Sequence, residues 1–232
     1  MCTASNYITK NQYFGRNFDY EISYNERVCI TPRNYEFKFR KIDDMKSHFA
    51  IIGITAGIDE YPLYYDAMNE KGVAIAGLNF AGNAVYRGIE DDMVNVTPFE
   101  FIPYLLSQSE SIEDVKELLL NLNLVNINYS ENLPLSPLHW MIADENSSII
   151  VEPLEDGLKV YDNPVGVLTN NPTFDYHIMN MNNYMGIWEG AARNTVCPEI
   201  PLENYSLGLG ALGLPGDFSS ASRFVKAVFV KE

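Results

Sequence analysis

Two apolar runs in the first third of the chain most restrict what it can fold into. Phe49 to Ala56 reads Phe-Ala-Ile-Ile-Gly-Ile-Thr-Ala, a β-branched stretch that stops at Gly57. It has the character of a buried strand. Gly72 to Asn79 reads Gly-Val-Ala-Ile-Ala-Gly-Leu-Asn, with small residues where two layers can approach closely, and the turn Met68-Asn69-Glu70-Lys71-Gly72 precedes it. Shorter strands are expected over 4–9 and 12–19, around a polar turn at Lys10-Asn11, and over Arg27 to Thr31, which Pro32 closes.

A helical block follows. Thr97-Pro98 places proline at a first helical position, leading into Phe99 to Ser107. Ser111-Ile-Glu-Asp114 fits a capping box, and Ile112, Val115, Leu118, Leu119 and Leu122 make an apolar stripe at helical spacing. Strands resume at Leu138 to Ala143, Ser148 to Glu152 and Leu158 to Tyr161. Asp175 to Trp188 reads as a helix, 198–216 as a Gly-, Leu- and Pro-rich loop, and Ser219 to Val230 as a closing helix or strand. Strand-rich blocks on either side of helices, with no repeat or linker, indicate an α+β fold of sheets covered by helices in one domain, 1–232.

The net charge of −15 argues against nucleic acid and anionic membrane surfaces as partners. The start carries no basic-then-apolar signal, and no apolar stretch is long enough to span a bilayer, so the cytoplasm is the expected location. The three cysteines, Cys2, Cys29 and Cys197, are widely spaced, with neither metal-site spacing nor a disulfide framework; no metal or cofactor is expected.

The chemistry concentrates at the N-terminus. Removal of Met1, which a small second residue permits, would leave Cys2 with a thiol and a free α-amine on one Cα. An α-amine titrates near ~8 and a thiol near ~8.5, so the two can exchange a proton at neutral pH. A hairpin would bring Arg16 and Asp19 of Phe-Gly-Arg-Asn-Phe-Asp back beside Cys2, Arg16 to favour the thiolate and Asp19 to hold the amine. Asn79 and Asn170 each end a strand. Each reads as a turn residue or as a donor to a developing oxyanion. Arg223 follows two turn signals and reads equally as a surface charge. Of the histidines, His48, His139 and His177, none has a local sequence that supports a Cys–His pair; a histidine in an apolar strand is usually a satisfied core residue.

Met-Cys-Thr, Phe-Gly-Arg-Asn-Phe-Asp, Met-Asn-Glu-Lys-Gly, Ala-Gly-Leu-Asn, Leu-His-Trp-Met, Leu-Thr-Asn-Asn-Pro-Thr-Phe and Leu-Pro-Gly-Asp-Phe-Ser-Ser-Ala-Ser-Arg-Phe occur in this order. Together they resemble the choloylglycine hydrolase family of bile salt hydrolases and penicillin V acylases, among the N-terminal nucleophile hydrolases. The resemblance implies an αββα four-layer sandwich: two mostly antiparallel sheets between helices. It implies amide hydrolysis by a processed N-terminal cysteine, commonly in a homotetramer. Cys2, Arg16, Asp19, Asn79, Asn170 and Arg223 fall on its active-site positions; Asn171 does not.

Bile salt hydrolases usually carry asparagine at the position of Asn79 and penicillin V acylases tyrosine, which favours conjugated bile salts as substrate. Phe18, Tyr20, Ile22, Tyr24, Ile58, Tyr61 and Leu133 are candidates to line a steroid-sized slot, or ordinary loop packing. Members of the family run on past this length, so a C-terminal part is expected to be missing, leaving open sheet edges. Penicillin V acylase or another N-acyl amidase, and an inactive homologue that only binds, are the alternative readings.

Overall fold

The structure is a computed structural model and describes residues 1–56 and 61–232. Its larger sheet has seven strands in the order β11-β10-β9-β6-β5-β4-β3, every neighbour antiparallel. These are β3 (Arg27–Thr31), β4 (Ile51–Thr55), β5 (Tyr64–Asn69), β6 (Ala74–Asn79), β9 (Leu138–Ala143), β10 (Ser148–Leu154) and β11 (Gly157–Asp162). The smaller sheet has three, β12-β1-β2, from β1 (Thr3–Ile8), β2 (Gln12–Asn17) and β12 (Val167–Leu168). A parallel pair joins β7 (Val94–Val96) to β8 (Leu122–Leu124). The helices are α1 (Phe101–Leu106), α2 (Ile112–Leu119), α3 (Phe174–Met181) and α4 (Ser220–Lys231).

The alternation of side chains along the central strands sorts two cores. Ile75, Trp140, Ile142 and Val151 pack with Phe101, Leu105, Ile112 and Val115 of α1 and α2. Ala76, Leu78, Met141 and Ile150 point the other way, into a second core with Ala4, Val167 and Leu168 of the small sheet and Phe174, Phe224 and Val228 of α3 and α4. The layers therefore run helices, large sheet, small sheet, helices. β6, β9 and β10 are buried on both faces, which is why they read as continuous apolar runs instead of alternating ones.

Gly77 of β6 is the close approach that the small residues announced: a Cβ there would lie 3.2 Å from Trp140 Nε1. Trp140 is fully buried, its ring centroid 4.2 Å from that of Phe101. The capping box at α2 forms as expected, Ser111 Oγ accepting from Asp114 N at 3.2 Å and Asp114 Oδ2 from Ser111 N at 3.1 Å.

Several boundaries differ from the sequence reading. Leu122 is not on α2; it begins β8, still buried, where backbone pairing with Val94 ends the helical stripe. The helix expected over Asp175 to Trp188 closes at Met181 and gives way to a tight turn over Asn182–Tyr184. Asparagine amides divert the local hydrogen bonding there: Asn182 Nδ2 donates to Met179 O at 2.8 Å and Asn183 Nδ2 to Asn180 Oδ1 at 3.1 Å. The last element is a helix, with Ser219 as its N-cap.

Strand β5 was not legible, because its Met68-Asn69 end had read as turn. Asn69 is buried at that end, donating to Leu106 O and Ser109 O at 2.9 and 2.8 Å and accepting from Lys71 N and Val73 N at 3.1 and 3.0 Å. At the β3 side of the large sheet, Val28, Ile30 and Ile52 stand exposed. Among the described residues no helix is long and apolar enough to cross a membrane.

Candidate active site

The β1–β2 hairpin brings Arg16 back to the chain start. Ala4 pairs with Arg16 and Thr3 with Asn17, so the Arg16 side chain passes beside Cys2. Arg16 Nη1 lies 3.8 Å from Cys2 Sγ, and Arg16 Nε donates to Asp66 Oδ2 of β5 at 2.7 Å. The Arg16 side chain is only 2% exposed, and its guanidinium carbon sits 4.4 Å from the Phe18 ring centroid. Its Nη2 is buried with no partner among the described residues. Asp66 carried no sequence signal of its own.

Strand β12 brings Asn170 to the same point from the other side. Ser5 pairs with Val167 and Ala4 with Leu168, a register that runs on toward Cys2 and Asn170. Asn170 Oδ1 accepts from Cys2 N at 2.8 Å and from Arg223 Nη2 at 2.8 Å. Because both are donors, the amide orientation is settled: Nδ2 points the other way and donates to Asn79 O at 2.8 Å. Arg223, on the first turn of α4, also donates to Cys2 O and, at 2.8 Å, to Thr3 Oγ1. Partial burial pulls the Arg223 guanidinium below its ordinary pKa. Asn171 turns away and donates to Ala81 O at 2.6 Å.

Asp19 meets the chain terminus, not Cys2: the Met1 ammonium donates to Asp19 O at 2.5 Å and lies 3.8 Å from its carboxylate. With Met1 in place the Cys2 nitrogen is an amide. Five of the six polar positions thus converge directly around Cys2 and Asn170, and Asp19 approaches through Met1.

The apolar candidates divide. Phe18, Tyr20 and Tyr24 gather with Tyr65, an aromatic residue that the sequence did not flag. Phe18 lies 4.7 Å from Tyr65 and 6.0 Å from Tyr20, and Tyr20 lies 5.3 Å from Tyr24, between ring centroids. Burial pushes the Tyr65 phenol up to about 12. Ile22 is exposed on the same loop. Tyr61 and Leu133 belong instead to the large core, Tyr61 against Phe37, Phe99 and Tyr129. Ile58 lies outside the described residues. Beside Arg16, a cavity of about 450 Å³ is lined by Phe14, Phe18, Ile52, Asp66 and Met68 among others.

The family model described as "Linear amide C-N hydrolases, choloylglycine hydrolase family" matches residues 2–232. The chain belongs to the choloylglycine hydrolase family. Within it, the chain is 60% identical over 231 residues to a bile salt hydrolase/transferase of Lactiplantibacillus plantarum, spanning 100% of this chain and 71% of that protein. A crystal structure of a variant of the conjugated bile acid hydrolase of Clostridium perfringens matches with a TM-score of 0.91 and 38% identity, over 100% of this chain and 72% of that one. The penicillin V acylase of Agrobacterium tumefaciens shares the fold, with a TM-score of 0.76 at 20% identity, over 99% of this chain and 65% of that one. The fold is thus the N-terminal nucleophile hydrolase sandwich of the choloylglycine hydrolase family, and the protein is a linear-amide hydrolase by family.

Proposed function

We propose that this protein hydrolyses the amide bond of glycine- or taurine-conjugated bile salts, with Cys2 as nucleophile once Met1 is removed. The observation that carries the reading is the convergence of Arg16, Asn170 and Arg223 on Cys2, with relatives named for bile salt hydrolysis at up to 60% identity.

Cys2 Sγ attacks the amide carbon, and its proton passes to the Cys2 α-amine. Arg16, desolvated beside the sulfur, stabilises negative charge there. The carbonyl oxygen becomes an oxyanion. Asn170 Nδ2 has two hydrogens and uses one on Asn79 O, so the second is available to the oxyanion together with the Asn79 backbone N–H. Collapse breaks the C–N bond, and the amine returns its proton to the leaving glycine or taurine. Water, deprotonated by the same amine, then cleaves the thioester and releases the bile acid. Asp19, next to the terminus, holds the ammonium form. Arg223 braces Cys2 O and Asn170 Oδ1.

Phe18, Tyr20 and Tyr24, with Tyr65, offer an aromatic wall for a steroid. No cofactor takes part in this scheme. A homotetramer in the cytoplasm belongs to the same reading and is checked by light scattering and cell fractionation. The deciding experiment is mass spectrometry of the N-terminus with parallel assays on glycocholate, taurocholate and penicillin V. Turnover of penicillin V alone would support the acylase reading. No turnover of any amide by Met1-free protein would leave a binding role.

A further inference from the structure

The side chain of Asn170 is held by Cys2, Arg223 and Asn79. Its backbone is held by two buried histidines that the mechanism does not use. His139 Nε2 lies 2.9 Å from Thr169 O, and His177 Nε2 lies 2.9 Å from Asn170 O. A carbonyl oxygen only accepts, so each Nε2 carries a hydrogen and donates it.

The remaining ring nitrogens have different surroundings. His139 Nδ1 is 3.1 Å from Glu152 Oε1, and both Glu152 oxygens accept from Phe174 N at 3.1 and 3.2 Å, at the start of α3. All of these groups are buried. His177 Nδ1 is buried with no partner among the described residues, so this ring is the neutral Nε2–H tautomer.

Each ring is also clamped flat against a phenylalanine. His139 stacks on Phe80 at 4.1 Å and 8°, and His177 on Phe224 at 4.8 Å and 12°. Phe80 follows Asn79 and Phe224 follows Arg223 in sequence. Two of the three residues that grip the Asn170 side chain, Asn79 and Arg223, therefore each precede the ring that fixes one of the histidines gripping its backbone.

We propose that His139 and His177 are positioning residues for Asn170: by holding consecutive carbonyls they aim its amide at Cys2 and at the oxyanion. This rests on the amide-hydrolase reading above. A histidine that merely fills the core would affect stability. One that aims Asn170 affects the transition state, since displacement of an oriented group by about 1 Å can cost on the order of 100-fold in rate.

The test uses the full chain with Met1 removed. His177→Phe keeps a ring on Phe224 and removes the donor; His177→Gln restores an N–H at similar reach. With glycocholate, His177→Phe is expected to lower kcat about tenfold or more, with KM nearly unchanged and the melting temperature close to wild type, and His177→Gln to recover most of the loss. Wild-type kcat in a folded His177→Phe, or a His177→Gln as slow as His177→Phe, would overturn the proposal. If His177→Phe does not fold, His177→Asn takes its place: its amide falls short of Asn170 O, so it must be slower than His177→Gln, and equal rates refute the role.

Alkylation of Cys2 by iodoacetamide, followed by mass spectrometry, gives a substrate-free reading. It should change about threefold or more in His177→Phe and return in His177→Gln, because Asn170 contacts the Cys2 nitrogen. An inactive wild type would defeat the hydrolase reading, while unchanged alkylation across the variants would defeat the positioning role.

Discussion

Asn170 Oδ1 accepts the Cys2 N–H at 2.8 Å across a separation of 168 residues. That bond ties the chain start to the end of β12, and it has direct consequences for what the N-terminus can do. While Met1 is present, the Cys2 nitrogen is an amide that can only donate. Once Met1 is removed, it becomes an amine that can also take a proton. Protein that retains Met1 should therefore be slower by ~10²–10⁴-fold, the usual worth of a positioned proton carrier. Cys2→Ala should abolish turnover, and Cys2→Ser should keep the fold and lose most activity. N-terminal mass spectrometry beside the glycocholate assay checks this; full-rate cleavage with Met1 intact would refute the mechanism.

Among the described residues, Asp66 is the charge partner of Arg16, at 2.7 Å. Removing one partner of a buried pair leaves an uncompensated charge, so Asp66→Asn should destabilise by roughly 3 kcal/mol, the low end of the usual range because Asp66 itself is partly exposed. The double variant Arg16→Met/Asp66→Asn should regain stability without regaining activity. Urea unfolding of the three proteins decides it; an Asp66→Asn as stable as wild type would mean that the pair contributes nothing.

Asn79 is exposed at the end of β6, with its carbonyl bonded to Asn170. A tyrosine there would place a larger side chain at the strand end that Asn170 contacts. Asn79→Tyr is expected to lower the ratio of glycocholate to penicillin V turnover while the strand stays paired through Leu138. An unchanged ratio would remove Asn79 from substrate selection.

Gly77→Ala places a methyl group 3.2 Å from Trp140 Nε1. Trp140 cannot retreat, being fully buried against Phe101. Overpacking of this kind costs about 1–3 kcal/mol, and a calorimetric melt should show the loss. An equal or higher melting temperature would mean that the two layers have slack.

His177 has a pH consequence of its own. Burial pushes its pKa below the ordinary 6.5. The unfolded chain therefore binds a proton at a pH where the folded one does not, so this contribution to stability is present above 6.5 and is lost as pH falls from there through the lower folded value. His177→Gln, which cannot titrate, should flatten that part of the stability curve. Parallel urea titrations between neutral and mildly acidic pH would show it; coincident slopes would contradict the neutral buried tautomer.

Much of this protein was present in local pattern. The candidate site positions Cys2, Arg16, Asn79, Asn170 and Arg223 came from the family resemblance; strands β6 and β9 could be read from apolar composition, β3 from its alternation, and the start of α2 from Ser111 and Asp114. Such signals act within a few residues, where backbone periodicity and capping are decided. Tertiary structure alone decided the partners. Asp66 reaches Arg16 over 50 residues, Tyr65 joins Phe18 from a strand that had not been visible, and Tyr61 goes to the core instead of the aromatic loop. His139 and His177 look in sequence like ordinary apolar-neighbour histidines, and only the packing of β12 and α3 puts their Nε2 atoms on consecutive carbonyls beside the nucleophile. A hydrogen bond between distant segments leaves no period in either of them. It exists only once two sheets and two helices have fixed where both ends lie.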